Sequence, residues 1–458
     1  MNVAPLAPTL LAALVPLASL TGAAAGDDPP RPNVLVVVAD DLGWGDVGYH
    51  GGEAETPSID RLAAEGLELD RFYVHPLCSV TRAALMTGRL PMRIGVTRNF
   101  LQAREGLSVD ERLVSQAFQA AGYQTCLVGK WHLGGTTDER WAPGARGFEH
   151  FYGMLGGAVD YFTHRDSRGN LDWQRNGEEV VEEGYATDLL AGEAVRWLRG
   201  LRARDEERPF FLVLSFNAVH APLAAPAELL ERFAGVEDEA RRTMLAAIAA
   251  MDSALGTVLA ALDELELARD TLVLFFSDNG ARPAKGGDNG PLRGDKGRLH
   301  EGGIRVPALM RWPGVLPEGK TELVVTATDL FPTLAAAAGI PTGVEVRLDG
   351  RDLWTHLKNG EAPPAEAVMI GCDGVVVLHG RWKLLFKPAG GPTQLYDLFA
   401  DPFEEHDLAA AEPDVVAQLE WYAQGLVDDA DSGPTSVTGR RPRVNRAGDD
   451  EDDGDGGR

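Results

Sequence analysis

Cysteine is scarce in this chain of 458 residues, which carries only Cys78, Cys126 and Cys372. Three cysteines at those spacings build no disulfide framework and match no zinc site. Cys126 and Cys372 read as small buried apolar residues. Positive charge is also in deficit. The 43 Lys and Arg face 69 Asp and Glu, a formal net charge of −26. Nucleic-acid binding needs a basic footprint, so that class is excluded, and any site for an anionic substrate must be positive locally. Long apolar runs are confined to the N-terminus. There PLAPTLLAALVPLASLTGAAAG (5–26) is short for a membrane span and ends in small residues. It predicts a secretory signal over residues 1–25, although its first residues hold no Lys or Arg. No cysteine follows it to carry a lipid anchor. With no further apolar segment and no internal repeat, the mature chain is expected to be exported, periplasmic or secreted, without a membrane span.

What is present is an alternation of apolar, β-branched runs with amphipathic stretches. Val34–Val38 is continuously apolar, as in a strand buried on both faces. The pattern returns at FFLVLSFNAVHAP (210–222) and TLVLFFSDNG (271–280). Helices are expected from Ser108, where S-V-D-E offers a capping box to Glu111, from about Thr187, and over roughly Glu239–Leu265. This order predicts an α/β fold around a largely parallel sheet. From about Val368 short β-like pieces predict a small antiparallel sheet, followed by a helix near Pro413–Leu426. The expected organisation is a catalytic domain over 30–365, a C-terminal subdomain over 366–427 and an acidic disordered tail over 428–458, which contains DDEDDGDGG (449–457).

The ends of the apolar runs carry the chemistry. Val34–Val38 leads into Asp40 and Asp41, the second run into Asn217 and His220, and the third into Asp278 and Asn279. In open α/β sheets ligands bind at the carboxyl ends of strands. Three strands would thus deliver carboxylates, an amide and an imidazole to one edge. Asp40, Asp41, Asp278 and Asn279 are hard oxygen donors, suited to calcium or magnesium rather than zinc. Taken singly, D-D is more often a solvated turn and S-D-N-G a tight turn. GKWHLG (129–134) adds Lys130 and His132, and PLRGDKGRLHEGGIRVP (291–307) adds Lys296 in what alone would be a flexible loop. In CSVTRAALMTGR (78–89) Cys78 precedes Arg82 by four residues at a loop entering a helix. A helix N-terminus and a cation both stabilise negative charge on a thiol.

Taken in order, D-D, C-x-x-x-R, G-K-W-H-L-G, N-x-x-H-x-P, S-D-N-G and G-x-K-G-x-x-x-E-G-G-I-R-V-P resemble the signature series of the type I sulfatases. The resemblance runs from Asn33 to Leu408 and includes R-W-K-L and L-Y-D-L-x-x-D-P-x-E. One position departs from it. Val80 stands where the family carries proline, which presets φ; valine also favours extended backbone.

The resemblance implies an alkaline-phosphatase-like large mixed, mostly parallel sheet flanked by helices. It implies that Cys78 is oxidised to formylglycine by a maturation enzyme that reads an extended chain. One calcium ion would be held by Asp40, Asp41, Asp278 and Asn279, with the modified Cys78 in its shell. Arg82 would hold the formylglycine hydrate, and Lys130, His132, His220 and Lys296 would surround the sulfate. The hydrate would attack sulfur with help from Asp278, His220 or Lys296 would protonate the leaving alcohol, and His132 would take the proton that releases sulfate.

The loop FYGMLGGAVDYFTH (151–164) resembles the arylsulfatase B subgroup, which removes the 4-sulfate from N-acetylgalactosamine. That makes a sulfated carbohydrate the expected substrate and His164 a substrate contact. Tyr161, Phe162 and Trp173 would either stack on a sugar or fill core. Two rival readings are a phosphodiester or phosphonate hydrolase of the same superfamily, and a non-catalytic binder of sulfated glycans built on an unconverted Cys78.

Overall fold

The computed structural model describes residues 31–432 except 102–104, 135–136, 202–207, 344–347, 362–367, 373 and 388–389. The expected signal segment and the tail beyond residue 432 lie outside the described residues. Contacts divide the chain after Arg31, and the unit considered below begins at Pro32.

A ten-stranded sheet organises this unit. Strand Asn33–Ala39 lies at its centre, parallel to Phe210–Ser215 on one side and Thr271–Ser277 on the other. Gln124–Lys130 continues the parallel set beyond Phe210–Ser215, and His150–Met154 follows it. Antiparallel Ala308–Arg311 flanks Thr271–Ser277, with Leu67–Leu69 and Gly319–Thr321 at that edge. Two-residue strands at Gln174–Arg175 and Glu178–Glu179 close the other.

Strand periodicity explains why both faces are covered. Val34, Val36 and Val38 enter one core with Val80, Ala83 and Ala84 of the Cys78–Thr87 helix. Leu35, Val37 and Ala39 enter the opposite core, formed with helices Ala186–Arg199 and Glu239–Glu264. The latter helix is long and apolar enough by composition to cross a bilayer, which corrects the expectation that no apolar segment follows the N-terminal one. Its apolar residues are packed inside the fold instead, among them Leu245, Ile248, Leu255 and Leu259.

A four-stranded antiparallel sheet, Val368–Gly371, Val375–His379, Trp382–Phe386 and Gln394–Asp397, forms the C-terminal part. Val375, Val377, Leu384 and Leu395 face the helix Pro413–Ser432, with Leu419 and Leu426. Val376, Leu378, Leu385 and Tyr396 face the other way, onto Tyr73, Leu299 and Ile304. That second face joins this sheet to the segment after Lys296. The terminal helix extends through Ser432, past the expected start of the tail.

One expected helix start moves. The helix begins at Val114, not at Ser108. Arg89 Nη1 binds the Glu111 carboxylate at 2.7 Å, so that side chain is unavailable to cap Ser108. The working cap is Gln116, whose Oε1 accepts the Leu113 amide at 3.0 Å.

Candidate active site

The strand register lines up the chemistry. Ala39 sits beside Ser277, Val38 beside Ser215, and Ser215 beside Gly129. The next residues on two adjacent strands, Asp40 and Asp278, are therefore neighbours, and Lys130, beyond the intervening strand Phe210–Ser215, reaches Asp40 through its long side chain. Two glycines permit this crowding. A Cβ on Gly129, whose φ is +113°, would stand 1.8 Å from the Ser215 carbonyl oxygen, and one on Gly280 would stand 1.9 Å from that of Gly302. Asp41 and His132 adopt left-handed backbone at φ 64° and 55°, a strained conformation for residues with side chains and one that clusters at functional sites.

Cys78 is the first residue of its helix and fully buried. Its Sγ lies 3.2 Å from Asn279 Oδ1 and 3.5 Å from Asp40 Oδ1, and Lys296 Nζ donates to it at 3.3 Å. Lys130 Nζ reaches Asp40 Oδ2 at 2.6 Å, and Lys296 Nζ reaches Asp41 Oδ1 at 2.6 Å. Arg82, one turn along the same helix, donates from Nε and Nη2 to Asp278 Oδ2 at 3.0 and 2.8 Å. Its Nη1 bonds the Lys130 carbonyl at 3.0 Å and Ser215 Oγ at 2.5 Å. Asn279 Nδ2 donates to Asp41 Oδ1 at 2.7 Å, which turns its Oδ1 towards Cys78. His220 Nε2 stands 3.8 Å from Asp41 Oδ2. Ligand atoms of Asp40, Asp41, Cys78 and His220 all lie within 4.8 Å of one another.

Of the residues singled out in the sequence, Cys78, Arg82, Lys130, His220, Lys296, Asp40, Asp41, Asp278 and Asn279 are thus linked in one buried cluster. His132 adjoins it. Its carbonyl accepts from Ser79 Oγ at 3.0 Å, and its buried Nδ1 has no hydrogen-bond partner among the described residues. His164 stands apart from these contacts. It is 1% exposed and stacks on Trp173 with ring centroids 4.5 Å apart. Trp173 and Tyr161 are core, whereas Phe162 is 45% exposed. Tyr161 Oη donates to the carbonyls of Asn217 and His220 at 3.0 and 2.9 Å, so this loop braces the His220 turn. Sequence reasoning misses Ser215. Its only signal is position, as the last residue of a strand aimed at the site.

Electrostatics reverse one expectation. Burial pushes the Cys78 thiol up to about 12 and the Asp278 charge adds to this, outweighing Lys130 and Lys296. The unmodified thiol is therefore protonated at neutral pH, despite the helix N-terminus and the nearby cations. Burial and the neighbouring Asp40 charge also raise Asp278. Burial alone would raise Asp41, but Lys296 and His220 hold it well below the usual carboxylate range. Burial and then Lys296 push His220 down to about 3, and burial and then Lys130 depress His132. Both imidazoles are neutral in this cluster.

His75, just before the Cys78 helix, ties that helix to the C-terminal sheet. Its ring bonds the Gly371 carbonyl at 2.9 Å, and its backbone exchanges two hydrogen bonds with Thr81 Oγ1. Burial lowers it from 6.5 to about 4. Between those values the unfolded chain takes up a proton that the folded chain refuses. Stability is full above pH 6.5 and falls towards pH 4, by about 3 kcal/mol from this residue. Melting curves between pH 7 and 4 test this: His75→Gln flattens the decline, and an unchanged slope refutes it.

A parallel sheet with a buried array of cations and carboxylates at its strand ends defines a hydrolase for anionic esters. The comparisons make the class specific. Residues 32–340 match the Sulfatase family. Human arylsulfatase A is 34% identical, over 88% of this chain and 89% of its own length. Human N-acetylgalactosamine-6-sulfatase is 35% identical, over 74% and 68%. The crystal structure of Ps i-CgsB in complex with k-i-k-neocarrahexaose superposes with a TM-score of 0.81 at 33% identity, covering 89% of this chain and 96% of that one. The chain belongs to the sulfatase family and is a hydrolase of sulfate esters.

Proposed function

We propose that this sulfatase, exported to the periplasm or secreted, removes sulfate from N-acetylgalactosamine 4-sulfate units of glycosaminoglycan-like polysaccharide, using a formylglycine made from Cys78 by a maturation enzyme and one calcium ion. The observation that carries the reading is the convergence of Asp40, Asn279 and Lys296 on the Cys78 side chain.

The donor set fits a hard divalent cation. Asp40, Asp41, Asp278 and the Asn279 amide oxygen are all oxygen donors on strand ends beside Cys78. Three buried carboxylates, Asp40, Asp41 and Asp278, balance three buried cations, Arg82, Lys130 and Lys296. A divalent ion would turn this balance positive, as an incoming sulfate requires. When bound, calcium and formylglycine would supply a geminal-diol nucleophile and stabilise charge on the sulfuryl oxygens.

The chain's own residues do the rest. Arg82 fixes Asp278 against the helix that carries Cys78. The raised Asp278 carboxylate is suited to accept a proton from a hydroxyl at position 78. Lys130 and Lys296 hold the sulfate oxygens. Burial works against the charge on Lys296, but Asp41 together with Asp40 and Asp278 outweighs it, so Lys296 keeps its proton, which supports it over His220 as donor to the departing alcohol. His132, neutral and with Nδ1 unpartnered, is suited to take the proton that frees sulfate. Phe162, exposed on the loop whose Tyr161 braces the His220 turn, would stack on a sugar, and His164, packed on Trp173, would steady that loop.

Val80 is compatible with this reading. The first intrahelical bond runs from the Thr81 amide to the Leu77 carbonyl at 3.0 Å. The Val80 amide precedes it, so proline and valine serve the folded helix equally.

The test is a panel of N-acetylgalactosamine 4-sulfate and 6-sulfate and galactose 4-sulfate units, run with calcium and with a chelator, alongside mass spectrometry of the Cys78 peptide. The expected result is release from the 4-sulfated units, an aldehyde at position 78, and a melting temperature that chelation lowers and calcium restores. Release confined to the 6-sulfate rejects the sugar assignment. An intact thiol in active enzyme from the native host rejects the nucleophile.

A further inference from the structure

Three motif residues take no part in the chemistry above: the glutamate of E-G-G-I-R-V-P, the lysine of R-W-K-L and the last glutamate of L-Y-D-L-x-x-D-P-x-E. They are Glu301, Lys383 and Glu404, and the fold brings them together. All three are fully buried. Lys383 Nζ lies 2.8 Å from Glu301 Oε1 and 2.8 Å from Glu404 Oε1. Glu404 Oε2 accepts the Glu301 amide at 2.7 Å. Tyr73 Oη donates to Glu301 Oε2 at 3.0 Å, and Arg305 Nη1 stands 3.6 Å from the same oxygen.

The cluster joins Glu301 and Glu404, 103 residues apart in sequence, and ties the C-terminal sheet to the segment after Lys296. Lys383 is in the second residue of strand Trp382–Phe386, and Glu301 opens the short helix Glu301–Ile304, five residues after Lys296. Around Glu301 the backbone is bonded to the segments that carry Asn279, Cys78 and Lys296. The Gly302 amide bonds the Arg293 carbonyl at 2.7 Å, the Gly280 amide bonds Gly303 at 3.1 Å, the Val74 amide bonds Ile304 at 2.8 Å, and the Gly297 amide bonds Pro76 at 2.9 Å. Gly280 directly follows Asn279, and Val74 and Pro76 precede Cys78. Arg293 Nη1 in turn binds the Glu404 carbonyl at 2.7 Å.

Stability alone does not call for such a group. A buried ion cluster is often no more stabilising than apolar residues of equal volume, and what it adds is a defined geometry. We infer that Lys383, with Glu301 and Glu404, is a positioning clamp by which the C-terminal sheet fixes the Lys296 loop against Cys78. This rests on the proposed role of Lys296. The clamp touches no substrate, and its effect is carried through the 292–304 backbone.

The experiment uses the full-length enzyme with Lys383→Met and Glu404→Gln combined. This pair removes one charge of each sign and keeps an oxygen for the Glu301 amide, with Arg305 left facing Glu301. Turnover of an aryl sulfate, normalised to the converted fraction of Cys78, is expected to fall roughly 10- to 100-fold with the fold intact. Amide hydrogen exchange over 292–304 is expected to quicken while the central strands are unchanged. In a Lys296→Met background the same pair is expected to cause little further loss, because both changes disable one element.

Unchanged turnover and exchange overturn the inference, and so does an equal fold-loss with and without Lys296. Should the pair not fold, Glu404→Gln alone is judged by the same criteria. A wild-type enzyme inert towards sulfate esters would instead reject the proposed chemistry, and the exchange measurement would still decide the clamp.

Discussion

Cys78→Ala is expected to lower kcat for sulfate release by roughly 10⁴- to 10⁶-fold, the scale seen when a catalytic nucleophile is removed. The protein should remain folded. Only Sγ is lost from a fully buried position at a helix start, and a cavity of that size costs about 1 kcal/mol. The substitution leaves Lys130, Lys296, Arg82 and the carboxylates in place, so calcium-dependent affinity for sulfated sugar should persist while turnover is lost. That separates this residue from its neighbours, whose removal would weaken binding as well. The measurement is a steady-state assay paired with equilibrium binding of a 4-sulfated disaccharide. Turnover within tenfold of wild type would remove Cys78 from the chemistry altogether.

Arg82→Met should have the largest effect on stability. The guanidinium uses Nε and Nη2 on Asp278, and Nη1 on the Lys130 carbonyl and Ser215. Its side chain is 5% exposed, and that of Asp278 is 0% exposed. Methionine fills much of the volume but leaves Asp278 buried beside Asp40 without its partner. Breaking a buried pair from one side costs about 3–5 kcal/mol, read as a shift in the denaturant midpoint. Two controls follow from the same reasoning. Calcium should recover part of the loss by supplying positive charge to Asp278, and Asp278→Asn in the Arg82→Met background should recover more. A midpoint within about 1 kcal/mol of wild type, in the range of an ordinary surface substitution, would mean that Asp278 is neutralised by some other group. Lysine at position 82 should rescue poorly, since a single ammonium cannot bridge Asp278, the Lys130 carbonyl and Ser215 together.

The sequence revealed those parts of the site whose residue types are tied to strand ends. Asp40 and Asp278 each follow a continuous apolar run, and a parallel sheet places such positions side by side. Legibility failed where a distant partner decided the outcome. Ser108 and Glu111 carry a proper capping pattern, yet Arg89 claims the glutamate across 22 residues. Cys78 sits at a helix start near cations, which by sequence favours a thiolate, but complete burial and Asp278 reverse the sign. His164 lies in a loop with a substrate-like pattern, while its neighbour Phe162 holds the exposed position. The clamp of Glu301, Lys383 and Glu404 was visible as three motif letters and illegible as a contact, because no periodicity links residues so far apart.

If Cys78 is converted as proposed, its complete burial sets a deadline for that modification. A maturation enzyme that reads an extended chain can reach this side chain only before the pocket closes. Closure needs Asn279 and Lys296, and Lys296 leaves the ribosome 218 residues after Cys78. At about 5–20 residues per second that interval is roughly 10–45 s. The central strand waits through most of it, since its partner Thr271–Ser277 is also made late. On the proposed reading, a topology rich in distant pairings, which slows folding, serves here as a timer that holds the cysteine open to its converting enzyme.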